Sequence, residues 1–245
     1  MRRILRNVLL LLAFLAPVSG VAQKRVEVSA SVDVVSHFLW RGLDFGNAAI
    51  QPSLAVGWRG LSLGLWGSCG LVRNNGTDHV TKEIDVELMY SFSGFTIGLC
   101  DDFCVRDGAD PKFFYFKQGS YHGLEAMLEY DFGFLMLHWS TYISGYADKY
   151  VNDWGHEKHA YASYAEISAP FRLGGFDWRA EFGFLPYGPK GTYDDAEGFS
   201  IINTTLRATR AIKFSSNFSL PVFLQATVNP ESGRMYFLAG CTFEL

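Results

Sequence analysis

Basic residues are in short supply: 21 Lys and Arg stand against 25 Asp and Glu, a formal net charge of −4. Nucleic-acid binding needs a basic face, and this balance offers none. Long apolar runs are missing as well. No stretch after the N-terminus approaches the about 20 residues of a membrane-spanning helix. Helical periodicity is almost absent from the same region. There is no Gly-x-Ser-x-Gly elbow, no His-Glu-x-x-His pair and no phosphate loop. No catalytic residue and no cofactor are therefore assigned, and no enzyme is expected. Cysteine is sparse at four. Cys100 and Cys104 would lie about 13 Å apart on an extended strand, too far to bridge, so Cys69, Cys100, Cys104 and Cys241 are read as packing residues. His156 and His159 with Asp153 and Glu157 are too loosely spaced to specify a metal.

What is present begins at the N-terminus. Arg2, Arg3 and Arg6 precede an apolar run from Val8 to Ala16, and Gly20-Val21-Ala22 follows as a small-x-small cleavage site. Residues 1–22 thus read as a cleaved signal peptide of an exported protein, and 23–245 as the mature domain. Without those three arginines the chain carries 18 basic and 25 acidic residues, a net charge of −7.

Period-two alternation recurs through the mature chain. Ile84, Val86, Leu88, Tyr90 and Phe92 alternate with Glu83, Asp85, Glu87 and Ser91. Leu124, Ala126, Leu128, Tyr130 and Phe132 alternate with Glu125, Met127, Glu129 and Asp131. Phe176, Trp178, Ala180, Phe182 and Phe184 alternate with Asp177, Arg179 and Glu181. Short turns at 58–60, 93–94, 131–133, 173–175 and 215–217 separate such runs. Longer polar segments near 43–47, 70–81, 105–119, 146–157, 187–197 and 229–234 fall between them. Twelve strands result, at 26–42, 48–58, 61–69, 82–92, 95–104, 120–131, 134–145, 158–172, 176–186, 198–214, 218–228 and 235–245. An even count puts both termini and the short turns at one end and the long loops at the other. That is the arrangement of a closed antiparallel β-barrel in a bacterial outer membrane. The aromatic excess of 21 Phe, 12 Tyr and 6 Trp suits interfacial girdles, with Trp40, Trp58, Tyr90, Trp139 and Trp178 as candidates.

In lipid the apolar face must point outward and the charged face inward. Asp85, Glu87, Glu125, Glu129, Glu166, Arg179, Glu181 and Arg207 are then the pore-lining candidates, joined by Glu27, Asp33 and Gln51. Acids outnumber bases there, which leans an aqueous passage toward cations. The alternative is that Arg179 and Arg207 pair with Glu181, Glu166 or Glu129 and fill the lumen. The segment 112–117, Lys-Phe-Phe-Tyr-Phe-Lys, reads as a strand extension, a folded-in constriction or a ligand platform, the extension first.

Three resemblances add to this. The alternating Phe237, Ala239, Cys241, Phe243 and Leu245 resemble the C-terminal signature that hands outer-membrane barrels to their assembly machinery, although that signature more often ends in Phe. His138-Trp139-Ser140 resembles the His-x-Ser pair of the outer-membrane phospholipase; the apolar claim of Leu137 and Trp139 on the outer face turns His138 and Ser140 inward, away from lipid. Ser36 to Leu43, Ile50-Gln51-Pro52-Ser53-Leu54 and Leu65-Trp66-Gly67-Ser68 resemble the TorF-like porins of Gram-negative bacteria. That family implies a barrel embedded in the lipid bilayer and passing small solutes, with no catalytic residue to carry over. The rival expectation is a closed structural barrel whose outer loops bind a partner. A lipid hydrolase using His138 and Ser140 comes third.

Overall fold

The computed structural model describes residues 26–117, 119–188, 193, 196, 198–216 and 218–244. The signal-peptide reading of 1–22 and the final Leu245 lie outside these residues.

Among the described residues sixteen strands follow one another: β1 (Glu27–Val35), β2 (Phe38–Trp40), β3 (Leu43–Gly46), β4 (Ala49–Trp58), β5 (Leu61–Gly70), β6 (Lys82–Phe92), β7 (Phe95–Val105) and β8 (His122–Asp131) form the first half. The second half is β9 (Met136–Gly145), β10 (Lys149–Val151), β11 (Glu157–His159), β12 (Ser163–Leu173), β13 (Phe176–Leu185), β14 (Ser200–Lys213), β15 (Ser219–Asn229) and β16 (Arg234–Glu244). Twelve of them close into an antiparallel barrel in the order β1-β16-β15-β14-β13-β12-β9-β8-β7-β6-β5-β4. The seam is made by β1 against β16, with Val32 opposite Phe243 and Val34 opposite Cys241. The remaining four make two small hairpins, β2–β3 and β10–β11.

Closure follows from turn chemistry. Arg59 and Gly60 have φ of 52° and 84°, and Ser93 and Gly94 have 47° and 85°. Positive φ at both central residues defines the type I′ turn, whose twist matches that of the flanking strands. These turns lie at one end with 132–135, 174–175 and 214–218, and both described chain ends are there too.

The alternation read from sequence sorts the side chains. Leu54, Leu65, Ile97, Leu128, Ile167, Leu206, Leu224 and Phe237 are each more than 40% exposed on the outer surface. Charged side chains between them point inward. Around the turn end the outer aromatics touch in series: Tyr90 and Phe92 at 5.6 Å, Phe92 and Phe95 at 5.8 Å, Phe95 and Tyr130 at 4.4 Å, Tyr130 and Phe132 at 4.5 Å.

Four expectations are corrected. The first strand ends at Val35, where the chain leaves the sheet: Ser36 N donates to Ala239 O and Ala239 N to Ser36 Oγ, which satisfies the edge. The strand expected from 158 starts at Ser163, because 157–159 pairs with 149–151. The 230–233 connection has four residues, a short turn like the 132–135 connection at the opposite end rather than a long loop. Trp40 is not at an interface; it lies inside the barrel against Phe45 and Tyr193.

Gly60→Val places a β-branched residue at φ 84° with its Cβ 2.4 Å from Ser91 O. A left-handed conformation costs about 1–2 kcal/mol for an L-residue, and the clash adds to it. The expected loss is at least that much in urea unfolding of the refolded barrel; unchanged stability would contradict the I′ turn.

Candidate functional site

The inward rows enclose a lumen, and its groups can be followed strand by strand. Across β6, β7 and β8, Glu87 faces Cys100 and Cys100 faces Glu125. Glu129 faces His138, and His138 faces Glu166. Glu181 faces Thr205, and Arg179 faces Arg207, which faces Gln225. Asp33 faces Gln51, and Glu27 faces Gly57. All eight sequence-selected residues therefore lie on inner rows.

They form distinct groups. On the β8–β14 wall, Arg179 Nε lies 2.8 Å from Glu181 Oε1 and Arg179 Nη2 3.8 Å from Glu166 Oε1. Glu166 also accepts from the Tyr164 hydroxyl at 2.5 Å and from Asn203 Nδ2 at 3.2 Å. Arg207 Nε donates to Gln225 Oε1 at 2.7 Å, and its guanidinium sits 4.4 Å from the Phe223 ring centroid. His138 Nδ1 is 2.9 Å from Glu129 Oε1. Asp85 and Glu87, on β6, stand apart from these cations. The Arg179 side chain remains 45% exposed and that of Glu129 26%, so this end of the lumen reaches water.

Toward the long-loop end the chain itself enters and narrows the lumen. Residues 36–46 turn inward, and Arg41 and Gly42, with φ of 49° and 78°, make the same positive-φ pair as Arg59-Gly60. Arg41 Nη1 and Nη2 grip Glu125 Oε1 and Oε2 at 2.6 and 2.9 Å, a bidentate fork. Nη1 also donates to the Tyr193 hydroxyl at 2.9 Å. The guanidinium lies between the Trp40 and Tyr164 rings, at 4.4 and 4.7 Å from their centroids. Trp40 stacks on Tyr193 at 5.7 Å with planes 6° apart. Asn229 Nδ2 donates to Gly42 O at 3.1 Å, and a Cβ on Gly42 would meet Ile202 O at 1.8 Å. Only glycine fits that approach. Phe38 and Phe45 bury themselves against Val35, Ala49, Phe223 and Leu238, each large side chain contributing about 1.5–3 kcal/mol.

Sequence reasoning missed this hairpin and its inner apolar seat. Val35, Trp66, Phe223 and Leu238 belong to inward rows that were expected to be polar; they are apolar because they face protein. The signal was there in Arg41-Gly42, which matches the residue-Gly pairs recognised as turns elsewhere.

The 112–117 segment is neither a strand nor a constriction. Phe103 and His122 are opposite one another on the outer row, and the segment packs over them. Phe116 stacks on His122 at 4.3 Å, and His122 Nε2 is 2.6 Å from Phe113 O. Ser140 is fully buried, two positions from His138 on an inward row. Among the described residues no three His, Cys, Asp or Glu side chains gather as a metal set. All four cysteines are free.

No protein-family model and no curated protein matches this chain. Among solved structures it is similar to "Salmonella typhi OmpF complex with Daunomycin", at 9% identity over 91% of this chain and 98% of that one, with a TM-score of 0.36. At that identity and TM-score no residue here is given a counterpart there. The class defined by strand order and register is a closed, antiparallel, twelve-stranded β-barrel with an internal hairpin.

Arg41→Ala strands Glu125, whose side chain is 6% exposed, without its partner. Breaking a buried pair costs about 3–5 kcal/mol. Urea unfolding of the variant should show a loss of that size, and the Arg41→Ala/Glu125→Ala double variant a smaller loss than the two single losses added together. Additive losses would show that the two groups do not interact.

Proposed function

We propose that this barrel sits in a bacterial outer membrane and lets small solutes, cations preferentially, through a lumen narrowed by the β2–β3 hairpin. The observation that carries the membrane reading is the circuit of exposed apolar side chains on the outer rows, with the ionised groups between them turned inward. In water such a surface would be an aggregation liability; in hydrocarbon it is the required one. The twelve barrel strands have 9 to 14 residues, enough to cross a bilayer core at a tilt. Arg210, on the outer row near the turn end, places its guanidinium 5.3 Å from the Phe176 ring centroid, as a snorkelling residue would.

The pore-lining assignment of Asp85, Glu87, Glu125, Glu129, Glu166, Arg179, Glu181 and Arg207 belongs to the same proposal. With Glu125 balanced by Arg41, the other five carboxylates still outnumber the Arg179 and Arg207 guanidiniums, which raises the local cation concentration. The resemblance to TorF-like porins supports this reading, as do residues 1–22 as an export signal and the last strand as an assembly signal. The second reading is a closed barrel whose loops hold a partner. It is favoured by one observation, the Arg41–Glu125 lock on the hairpin. Neither reading assigns catalysis to His138 or Ser140.

Planar-bilayer recording separates the two. The wild type should show small stepwise currents with cation preference in a salt gradient, and deletion of 37–47 should enlarge them. Silence from both proteins would reject passage and leave the closed barrel. A companion test addresses the membrane: Leu88→Arg, midway along an outer row, should cost about 2–4 kcal/mol of folding free energy in lipid vesicles. No cost would place that row away from hydrocarbon.

A further inference from the structure

Between the hairpin and the β6–β7 wall lies a cavity of 140 Å³ whose lining includes Trp40, Phe45, Glu83, Asp102, Tyr121 and Tyr142. None of the pore-lining candidates lines it, and its chemistry is distinct from that of the Arg179 group.

Glu83 is 6% exposed and lines this cavity, yet its Oε2 has no hydrogen-bond partner. Asp102 accepts from the Tyr142 hydroxyl. Asp85 stands directly opposite Asp102 on the same inner face, and its Oδ1 is also buried without a partner. Two carboxylates, Glu83 and Asp102, thus line the cavity, with Asp85 beside Asp102 on the wall. The nearby cation at the cavity is Arg106, which acts on Glu83 while its guanidinium lies 4.3 Å from the Phe45 ring centroid. Arg41 is already committed to Glu125. Buried carboxylate oxygens without donors are costly, and a bound cation carrying N–H groups offsets that cost.

The rest of the wall narrows the choice. The Tyr121 hydroxyl is spent on Asp107, whose exposed carboxyl is held below the usual carboxylate range by that bond. With the Tyr142 hydroxyl spent on Asp102, both phenols present mainly ring to the cavity, beside the Trp40 and Phe45 rings. Aromatic walls attract organic cations through their π faces. A bare metal ion finds no set of three His, Cys, Asp or Glu ligands among the described residues. A quaternary ammonium brings no N–H for Glu83 Oε2. The volume matches the about 150 Å³ that admits a benzene-sized molecule, so an ammonium head with a short carbon tail fits.

We infer that this cavity binds a primary alkylammonium ion, with Glu83 Oε2 taking an N–H, Asp102 adding negative charge and the aromatic rings covering its carbons. The site goes beyond solute diffusion and does not depend on it: binding is read on the detergent-refolded full chain, whether or not the barrel conducts.

Calorimetric titration with ethylammonium chloride should show a single saturable site. Glu83→Gln, near-isosteric, should weaken it about tenfold or more, the scale of one charge-assisted hydrogen bond. Asp78→Asn, in the exposed Arg73–Asp78 pair, should leave it unchanged. Tetramethylammonium and sodium should fail to displace ethylammonium from the wild type, an arm that needs no variant to fold. Absence of saturable heat, equal affinity in refolded Glu83→Gln, or displacement by sodium at matching concentration would overturn the site.

Discussion

A closed cylinder of strands gives every side chain one of two destinations, and everything else in this molecule follows from that constraint. Because successive residues point to opposite faces, a row that puts Leu88 outward puts Glu87 and Met89 inward without exception. Closure through β1 and β16 removes the free edges that would let the register slip. The outer rows then form a mainly apolar surface, with ionised groups such as Arg210 and Asp101 toward its ends. The inner rows collect nearly every ionised group of the wall, and each of those must find water or a partner.

The inside solves that requirement in two ways. Toward the short turns, Arg179, Glu181, Glu166 and Glu129 share a wet space and pair loosely. Toward the long loops the chain itself narrows the lumen. The β2–β3 hairpin brings Phe38, Trp40 and Phe45 in from above, and the wall answers with Val35, Trp66, Phe223 and Leu238. Arg41 is what makes this arrangement specific. Its fork on Glu125 is buried on both sides and enclosed by the Trp40 and Tyr164 rings, so a sliding or inverted hairpin would leave two charges unpaired. The same geometry leaves Glu83 and Asp102 facing a small aromatic-walled space, with the Arg106 guanidinium beside them.

The strand plan was legible because alternation and residue-Gly turns are local signals. Runs such as Ile84 to Phe92 and turns such as Ser93-Gly94 carry their own geometry, and the barrel strands fall within a few residues of the periodic runs. What lay beyond reach was tertiary. Ser36 to Trp40 has the look of a continued strand; only the pairing of Ser36 with Ala239 and the approach of Gly42 to Ile202 show that it leaves the sheet. Trp40 was placed at an interface because nothing local distinguishes an interfacial tryptophan from one stacked inside on Tyr193. The inward residues Asp85 to Arg207 could be selected by parity. Their grouping could not, since that depends on which strands become neighbours around the circuit. The 112–117 segment carried a strand-like composition, but its seat on Phe103 and His122 turned it into a cover for the outer wall.

The most direct test of this account is quenching of single-tryptophan variants by acyl-chain bromine in reconstituted vesicles. Trp139 on an outer row should be strongly quenched, while Trp40 and Trp66, inside the barrel on the hairpin and its seat, should be untouched. Equal quenching of Trp139 and Trp40, or none at Trp139, would contradict both the outward apolar circuit and the internal hairpin.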